Sequence, residues 1–154
     1  MNDTRLAHER FCKDRFPLPS EKQIADFEQR IGVELPDDYR RYILDYNGGF
    51  FTEPQIVPVV ERCPTDRLTF MHGLGATHPV AELASDHNLG LFDNNYPAQV
   101  LPIGYTLMGN LILLITHPEH RGCIMLKRAF YNEYFFLAVG IEQFFALLRD
   151  LVEE

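Results

Sequence analysis

The longest aliphatic run in this 154-residue chain is Leu111-Ile112-Leu113-Leu114-Ile115, far short of the roughly 20 apolar residues that span a bilayer. From Met1 to Phe16 charged residues alternate with apolar ones, and no hydrophobic signal core is present. Cysteine is scarce and odd in number: Cys12, Cys63 and Cys123 lie far apart with no CxxC pair. Such a set is a poor disulfide framework and suits a reducing compartment, where each thiol serves as a small apolar filler. Positive charge is short as well. Fourteen Lys and Arg stand against 22 Asp and Glu, a formal net charge of −8, which argues against a general nucleic-acid binder because phosphate recognition needs cations to release counterions. Together these shortages predict a soluble cytoplasmic protein with no membrane contact and no direct nucleic-acid contact.

Catalytic and ligand motifs are lacking too. Gly104-Tyr-Thr-Leu-Met-Gly109 has the glycine spacing of a phosphate loop, but Asn110 stands in place of its lysine and Leu111 in place of its hydroxyl. Gly73-Leu74-Gly75 has no third glycine for a dinucleotide fingerprint. His117-Pro118-Glu119-His120 supplies two histidines, half of a tetrahedral metal site, and only solitary Cys123 follows where a zinc deaminase needs a thiolate pair. No GxSxG elbow and no HExxH helix occurs. His72 and His78 flank a Gly-rich turn, and a hydrolase built on them and nearby acids would need a deep pocket with convergent titratable groups. The reading is therefore of a non-enzyme, with no catalytic residue, cofactor or metal ligand assigned.

What is present is an ordinary globular composition, 46% apolar and 23% charged. The length suits one domain over residues 1–154. Ser20 and Gln23 have the spacing of a capping box, Ile24, Phe27 and Ile31 share a helical face, and Gly32 supplies a stop. Pro36 opens a second helix with Asp37 and Asp38 in its first turn, an apolar stripe of Tyr39, Tyr42, Ile43 and Tyr46, and an end at Asn47-Gly48-Gly49. A weak amphipathic segment lies around Leu6 to Lys13. Beyond Phe50, residues 55–60, 68–72, 99–103, 111–116, 123–127 and 134–139 read as strands, with Pro58 marking an edge or bulge. A short helix is predicted over Val80–Asn88, a surface loop over Asp93-Asn94-Asn95-Tyr96-Pro97, and a final helix bearing Ile141, Phe144, Phe145, Leu148, Leu151 and Val152. Helices, then strands, then a helix predict an α+β fold: N-terminal helices and a C-terminal helix packed on a mostly antiparallel twisted sheet of about six strands.

Several of these residues occur in a recognisable order. Ile24-Ala-Asp-Phe27-Glu28 with Ile31-Gly32, then Leu35-Pro36-Asp-Asp-Tyr39, then Asn47-Gly48-Gly49 resembles the opening of the SUKH superfamily, which includes the fungal Smi/Knr-type cell-wall-synthesis regulator and bacterial toxin-immunity proteins. Leu101-Pro102-Ile103-Gly104, the Gly109-Asn110 turn, Gly122 opening a strand, and Phe136-Leu137-Ala138 before the helix with Phe144 continue the likeness, which covers roughly residues 20–151. The signature residues Phe27, Glu28, Leu35, Pro36, Tyr39, Asn47, Gly48, Gly49, Pro102, Gly109, Asn110 and Gly122 are read as structural, since caps and turns identify a scaffold.

The resemblance implies a non-catalytic protein-binding domain, an immunity protein that binds and neutralises a cognate toxin in the cytoplasm. The alternative is a regulatory or scaffold protein binding a housekeeping partner. Nuclease toxins tend to be basic, and an acidic inhibitor is steered onto them. Residues 50–110 are the most one-sided segment, with 6 acids and 2 bases. A basic toxin domain is thus the expected partner. Glu61, Asp66, Glu82, Asp86 and Asp93 are the candidate contacts, with Phe92 or Tyr96 as aromatic anchor. The oligomeric state is left open.

Overall fold

Helices with one apolar stripe and strands with short apolar runs must bury those surfaces against each other. The computed structural model describes residues 3–76, 78–94 and 100–150, and it has this layered arrangement. The elements are α1 (Asp3–Phe11), β1 (Cys12–Arg15), α2 (Glu21–Ile31), α3 (Asp37–Asp45), β2 (Gly49–Phe51), β3 (Gln55–Ile56), β4 (Asp66–Met71), α4 (Asp86–Asn94), β5 (Val100–Thr106), β6 (Leu111–Ile115), β7 (Ile124–Lys127), β8 (Tyr134–Ala138), α5 (Ile141–Ala146) and β9 (Leu148–Arg149). Seven strands lie in the order β1-β2-β4-β5-β6-β7-β8; β3 pairs with β4 and with β9, and every strand pairing is antiparallel. The fold is α+β. Ile112, Leu114, Ile124 and Leu126 of the sheet share a buried core with Ile24 and Phe27 of α2, Tyr39, Tyr42 and Ile43 of α3, and Phe144 and Phe145 of α5.

Local sequence explains the first helices. The Ser20 hydroxyl accepts from the Gln23 amide at 3.1 Å, the Gln23 side chain accepts from the Ser20 amide at 2.8 Å, and Gly32 closes α2 with φ 77°. The Glu28 carboxylate accepts from the Leu35 amide at 2.7 Å and from the Arg40 guanidinium at 3.3 Å, fixing the link into α3. Pro36 is the N-cap of α3. In the first turn of α3, the Asp38 carboxylate accepts from the amide of Ile141, the first residue of α5, at 3.2 Å.

The sheet differs from expectation where pairing partners, not local pattern, decide. Among the described residues it has nine strands, because β1, β2 and β9 are short pieces recruited by neighbours already in place. Cys12-Lys13-Asp14-Arg15 has no apolar alternation, and β1 exists by pairing with β2. The strand read over residues 55–60 shrinks to β3, ahead of Pro58. The helix read over Val80–Asn88 lies later, at Asp86–Asn94, after turns, and its first turn is held by the Ser85 hydroxyl accepting from the Asn88 amide at 3.1 Å. Asp93 and Asn94 are therefore helical, while Asn95, Tyr96 and Pro97 lie outside the described residues. The final helix is also shorter than its apolar stripe suggests. It ends at Ala146 and Leu148 enters β9 against β3, whereas Leu151 and Val152 lie outside the described residues.

Asn47 ties these layers together. It is fully buried with φ 56°, and its amide donates to the Pro17 and Leu74 carbonyls at 2.7 and 2.9 Å while accepting from the Leu74 amide at 2.8 Å. Gly48 follows with φ 72°, and a Cβ there would collide with the Met71 and His72 carbonyl oxygens. Asn47→Ala strands the two buried backbone groups of Leu74 and the partly buried Pro17 carbonyl, and a loss of about 2–4 kcal/mol is expected. Gly48→Ala adds a left-handed penalty of about 1–2 kcal/mol to the backbone clash; both are to be read from urea unfolding midpoints.

Helix α1 docks through His8, whose Nε2 lies 3.0 Å from the Tyr42 hydroxyl and whose ring stacks on Tyr46 at 4.7 Å. Burial, helped by the Arg15 charge, pushes His8 down to about 4, and burial pushes His72 to about 4 as well. Unfolding returns both rings to an ordinary value near 6.5, so between pH 6.5 and 4 the unfolded chain binds more protons than the folded one. Stability is full above pH 6.5 and falls on acidification through that window, by at most about 1.4 kcal/mol per pH unit for each histidine. Unfolding midpoints measured at pH 7 and pH 5 check this; equal midpoints would remove the role of the two rings.

Candidate protein-binding surface

The β5–β6 turn and the β7–β8 turn emerge at the same end of the sheet, because these four strands are successive antiparallel neighbours. Turns of this kind usually carry small polar residues. Here they carry Leu107 at 52% exposure, Met108 at 60%, Phe130 at 92% and Tyr131 at 55%. Large apolar side chains grouped in the open mark an interaction surface more than a solvated one.

A buried polar network holds this surface from below. Asp66, only 2% exposed, accepts from the Asn110 side-chain amide at 2.8 Å, from the Met108 amide at 3.2 Å and from the Arg67 amide at 2.8 Å. The Asn110 side-chain oxygen in turn accepts from the Ala129 amide at 2.9 Å, joining one turn to the other. The Asn110 amide donates to the Thr106 hydroxyl at 2.9 Å, and Gly109 takes φ 83° to close the turn. The Arg128 guanidinium sits 4.3 Å over the Tyr131 ring and 2.9 Å from Glu133. Between the turns lies a recess of about 150 Å³ lined by Pro64, Met108, Asn110, Arg128, Ala129, Phe130 and Tyr131. A surface held in this way loses little conformational freedom when a partner covers it.

The acidic residues singled out from sequence stand in different settings. Glu61 is exposed, three residues before Pro64 of the recess. Asp66 is inside the network just described and presents no surface. Glu82 is half-buried and accepts from the Gly75 and Ala84 amides, both at 3.1 Å, so it shapes its own loop. Asp86 is exposed, 3.5 Å from Arg30 of α2. Phe92 is buried in the main core, Asp93 is in the last turn of α4, and Tyr96 lies outside the described residues. In the chain, β4 lies between Glu61 and Glu82. Of the histidines, His72 is buried against Phe70 at 5.1 Å and His78 is exposed against Phe50 at 4.9 Å. Leu107, Met108, Phe130 and Tyr131 were missed, although apolar residues at turn positions are themselves a sequence signal.

A family model described as "SMI1 / KNR4 family (SUKH-1)" matches residues 18–147. The chain belongs to the SMI1/KNR4 family. It is also 23% identical over 167 residues to the SPbeta prophage-derived uncharacterized protein YokK of Bacillus subtilis (strain 168), covering 90% of this chain and 80% of that protein. No solved structure matches it. In this SMI1/KNR4 protein most of the residues that carry the family likeness have internal work: Glu28 holds the Leu35 link, Asn47 bridges α3 to the exits of β1 and β4, Pro102 offers its carbonyl to Asn88 at 3.1 Å, and Asn110 joins the two exposed turns. Among the described residues, no helix is long and apolar enough to cross a membrane.

Two substitutions separate the platform from its support. Asn110→Ala removes one of the three donors to buried Asp66 and leaves the Ala129 amide without its acceptor, and a loss of about 2–4 kcal/mol is expected. Phe130→Ala removes a ring that touches mostly solvent, and stability should stay within about 0.5 kcal/mol. Thermal unfolding of the two variants side by side gives the comparison.

Proposed function

We propose that this SMI1/KNR4 protein is a non-catalytic binding protein of the immunity type, which covers a toxin domain and blocks it. The observation that carries the reading is the exposed group of Leu107, Met108, Phe130 and Tyr131, fixed by the Asp66–Asn110 network beneath it. Apolar and aromatic anchors of this kind dominate binding energy when a partner excludes water from them. Family membership and the prophage-derived relative fit such a role.

The net charge of −8 acts at longer range. It favours encounter with a basic domain, and Glu61, exposed on the loop that leads to Pro64, is placed to contribute. The toxin would then be steered by charge and held by the apolar turns.

The test is co-expression with the product of the neighbouring gene, followed by measurement of binding and growth rescue. Wild-type protein should bind and rescue. The Phe130→Ala, Tyr131→Ala double variant should stay folded yet bind at least tenfold more weakly and fail to rescue. Glu61→Arg should slow association and flatten its salt dependence, with dissociation little changed. Full rescue by the double variant would remove the turns from the interface, and absence of any binding by wild type would overturn the immunity reading.

A further inference from the structure

Residues 3–15 are fastened separately from the rest of the domain. The family match begins at residue 18, beyond them. α1 is held by its buried residues Thr4, Ala7, His8 and Phe11, and the Phe11 carbonyl accepts from the Thr52 amide at 2.8 Å. β1 is held by three paired positions on β2 with an irregular register. Immediately after β1 the chain is anchored by other means. Phe16 packs edge-on against Phe50 at 5.6 Å and clusters with Phe70 and Ala81, and the Pro17 carbonyl accepts from the Asn47 side chain at 2.7 Å. The domain from Phe16 onward therefore keeps its own fastening if α1 and β1 leave, and β2 then becomes the sheet edge.

His8 is the central contact of this segment. It is 1% exposed, and its ring sits among those of Tyr42, Tyr46, Phe51 and Phe145, with centroids 4.7 to 5.3 Å away. The Tyr42 hydroxyl accepts from the Gly48 amide, so its own proton goes to His8 Nε2, 3.0 Å away. The neutral ring then carries its proton on Nδ1, which is buried without a partner. A second proton has to go on Nε2, which leaves the Tyr42 proton without its acceptor. The surroundings do not compensate the charge. Arg15 of β1 faces the ring with like charge and lies 5.6 Å over Tyr46. Burial pushes the Cys12 thiol and the Tyr42 hydroxyl up, so both stay neutral, and Phe51 of β2 and Phe145 of α5 carry no charge. The carboxylates of the surrounding elements are turned elsewhere: Glu9 to Arg5 within α1, Asp45 to Arg41 within α3, and Asp38 and Glu142 to the amides of Ile141 and Asp3. Asp14 of β1 is exposed.

We propose that residues 3–15 form a pH-sensitive strap: protonation of His8 releases α1 and β1 together from the aromatic floor of Tyr42, Tyr46, Phe51 and Phe145, while the domain from Phe16 onward stays folded. The two elements leave together because Phe11 and Cys12 join them without a loop. In the seated strap, burial helped by Arg15 holds His8 down to about 4, whereas in the released strap the ring returns to its ordinary value near 6.5. The released form binds more protons between pH 6.5 and 4, so the strap is fully seated above pH 6.5 and opens as pH falls through that window. Release uncovers the four rings of the floor and the pairing edge of β2. It differs from the loss of overall stability through both His8 and His72, because it involves His8 alone and leaves the centre of the sheet paired. β1 and β8 are the two ends of the main sheet, and the strap opens whether or not the Leu107, Met108, Phe130 and Tyr131 group binds a toxin.

The experiment is hydrogen–deuterium exchange of the full chain at pH 7 and pH 5, with rates corrected for the intrinsic chemistry of the amides. At both values the amides of residues 3–15 should exchange faster than those of β5 and β6, through opening of the strap alone. Their protection should fall about twentyfold from pH 7 to pH 5, the change produced by one ring that moves between about 4 and 6.5. His8→Phe keeps an aromatic ring on the floor and takes no proton, so protection of residues 3–15 should be the same at the two values. Nitrogen NMR of isotope-labelled histidine in the wild type gives a second readout, which decides the matter if His8→Phe does not fold. At pH 7 the His8 ring should be neutral with its proton on Nδ1, and on acidification its charged form should grow only in step with the loss of protection. Three results overturn the proposal: residues 3–15 as protected as β5 and β6 at pH 5, a twentyfold loss that persists in His8→Phe, or a charged His8 in a strap that keeps its protection.

Discussion

Asn47 is the side chain on which the rest of the structure hangs. A single buried amide satisfies two carbonyls and one N–H that belong to the exits of β1 and β4. These segments cannot supply one another's partners, since each has just left regular structure, and a buried unpaired backbone group is costly. The same residue must also reverse the chain out of α3, which it does in the left-handed region that asparagine tolerates better than most residues. Gly48 then passes so close to the Met71 and His72 carbonyls that no side chain fits. Helix, edge and sheet centre thus meet at two consecutive residues.

With the helical layer fixed there, the opposite needs of the β5–β6 and β7–β8 turns become clear. They carry exposed apolar side chains and are joined to each other through Asn110. Asp66 and Asn110 hold them from below with directed hydrogen bonds, while Leu107, Met108, Phe130 and Tyr131 stand exposed. Polar groups are buried beneath and apolar ones exposed above, an inversion of the usual division between interior and surface.

Much of the fold was legible in the sequence where the determinants are local. Ser20, Gln23 and Gly32 state the limits of α2 within a dozen residues, and the Asn47-Gly48-Gly49 reversal is equally self-contained. The unread parts depend on distant residues. β1 and β9 are strands only because β2 and β3 offer them an edge. Asp66 reads as a surface acid until Asn110, 44 positions later, folds against it. For the candidate surface, the acid-rich middle of the chain draws attention to charge, whereas the exposed large side chains at the β5–β6 and β7–β8 turns are apolar and come from two separate segments.

The carboxylate of Asp38 has a consequence for how the molecule opens. It sits in the first turn of α3 and also accepts the first amide of α5, more than a hundred residues away, so one side chain serves the positive ends of two helices. Fraying α3 withdraws the cap from α5, and fraying α5 leaves that carboxylate with less to hold. The two helices, distant in sequence, should therefore exchange their amide protons as one cooperative unit, with α5, only six residues long, protected far beyond what an isolated helix of its length would show.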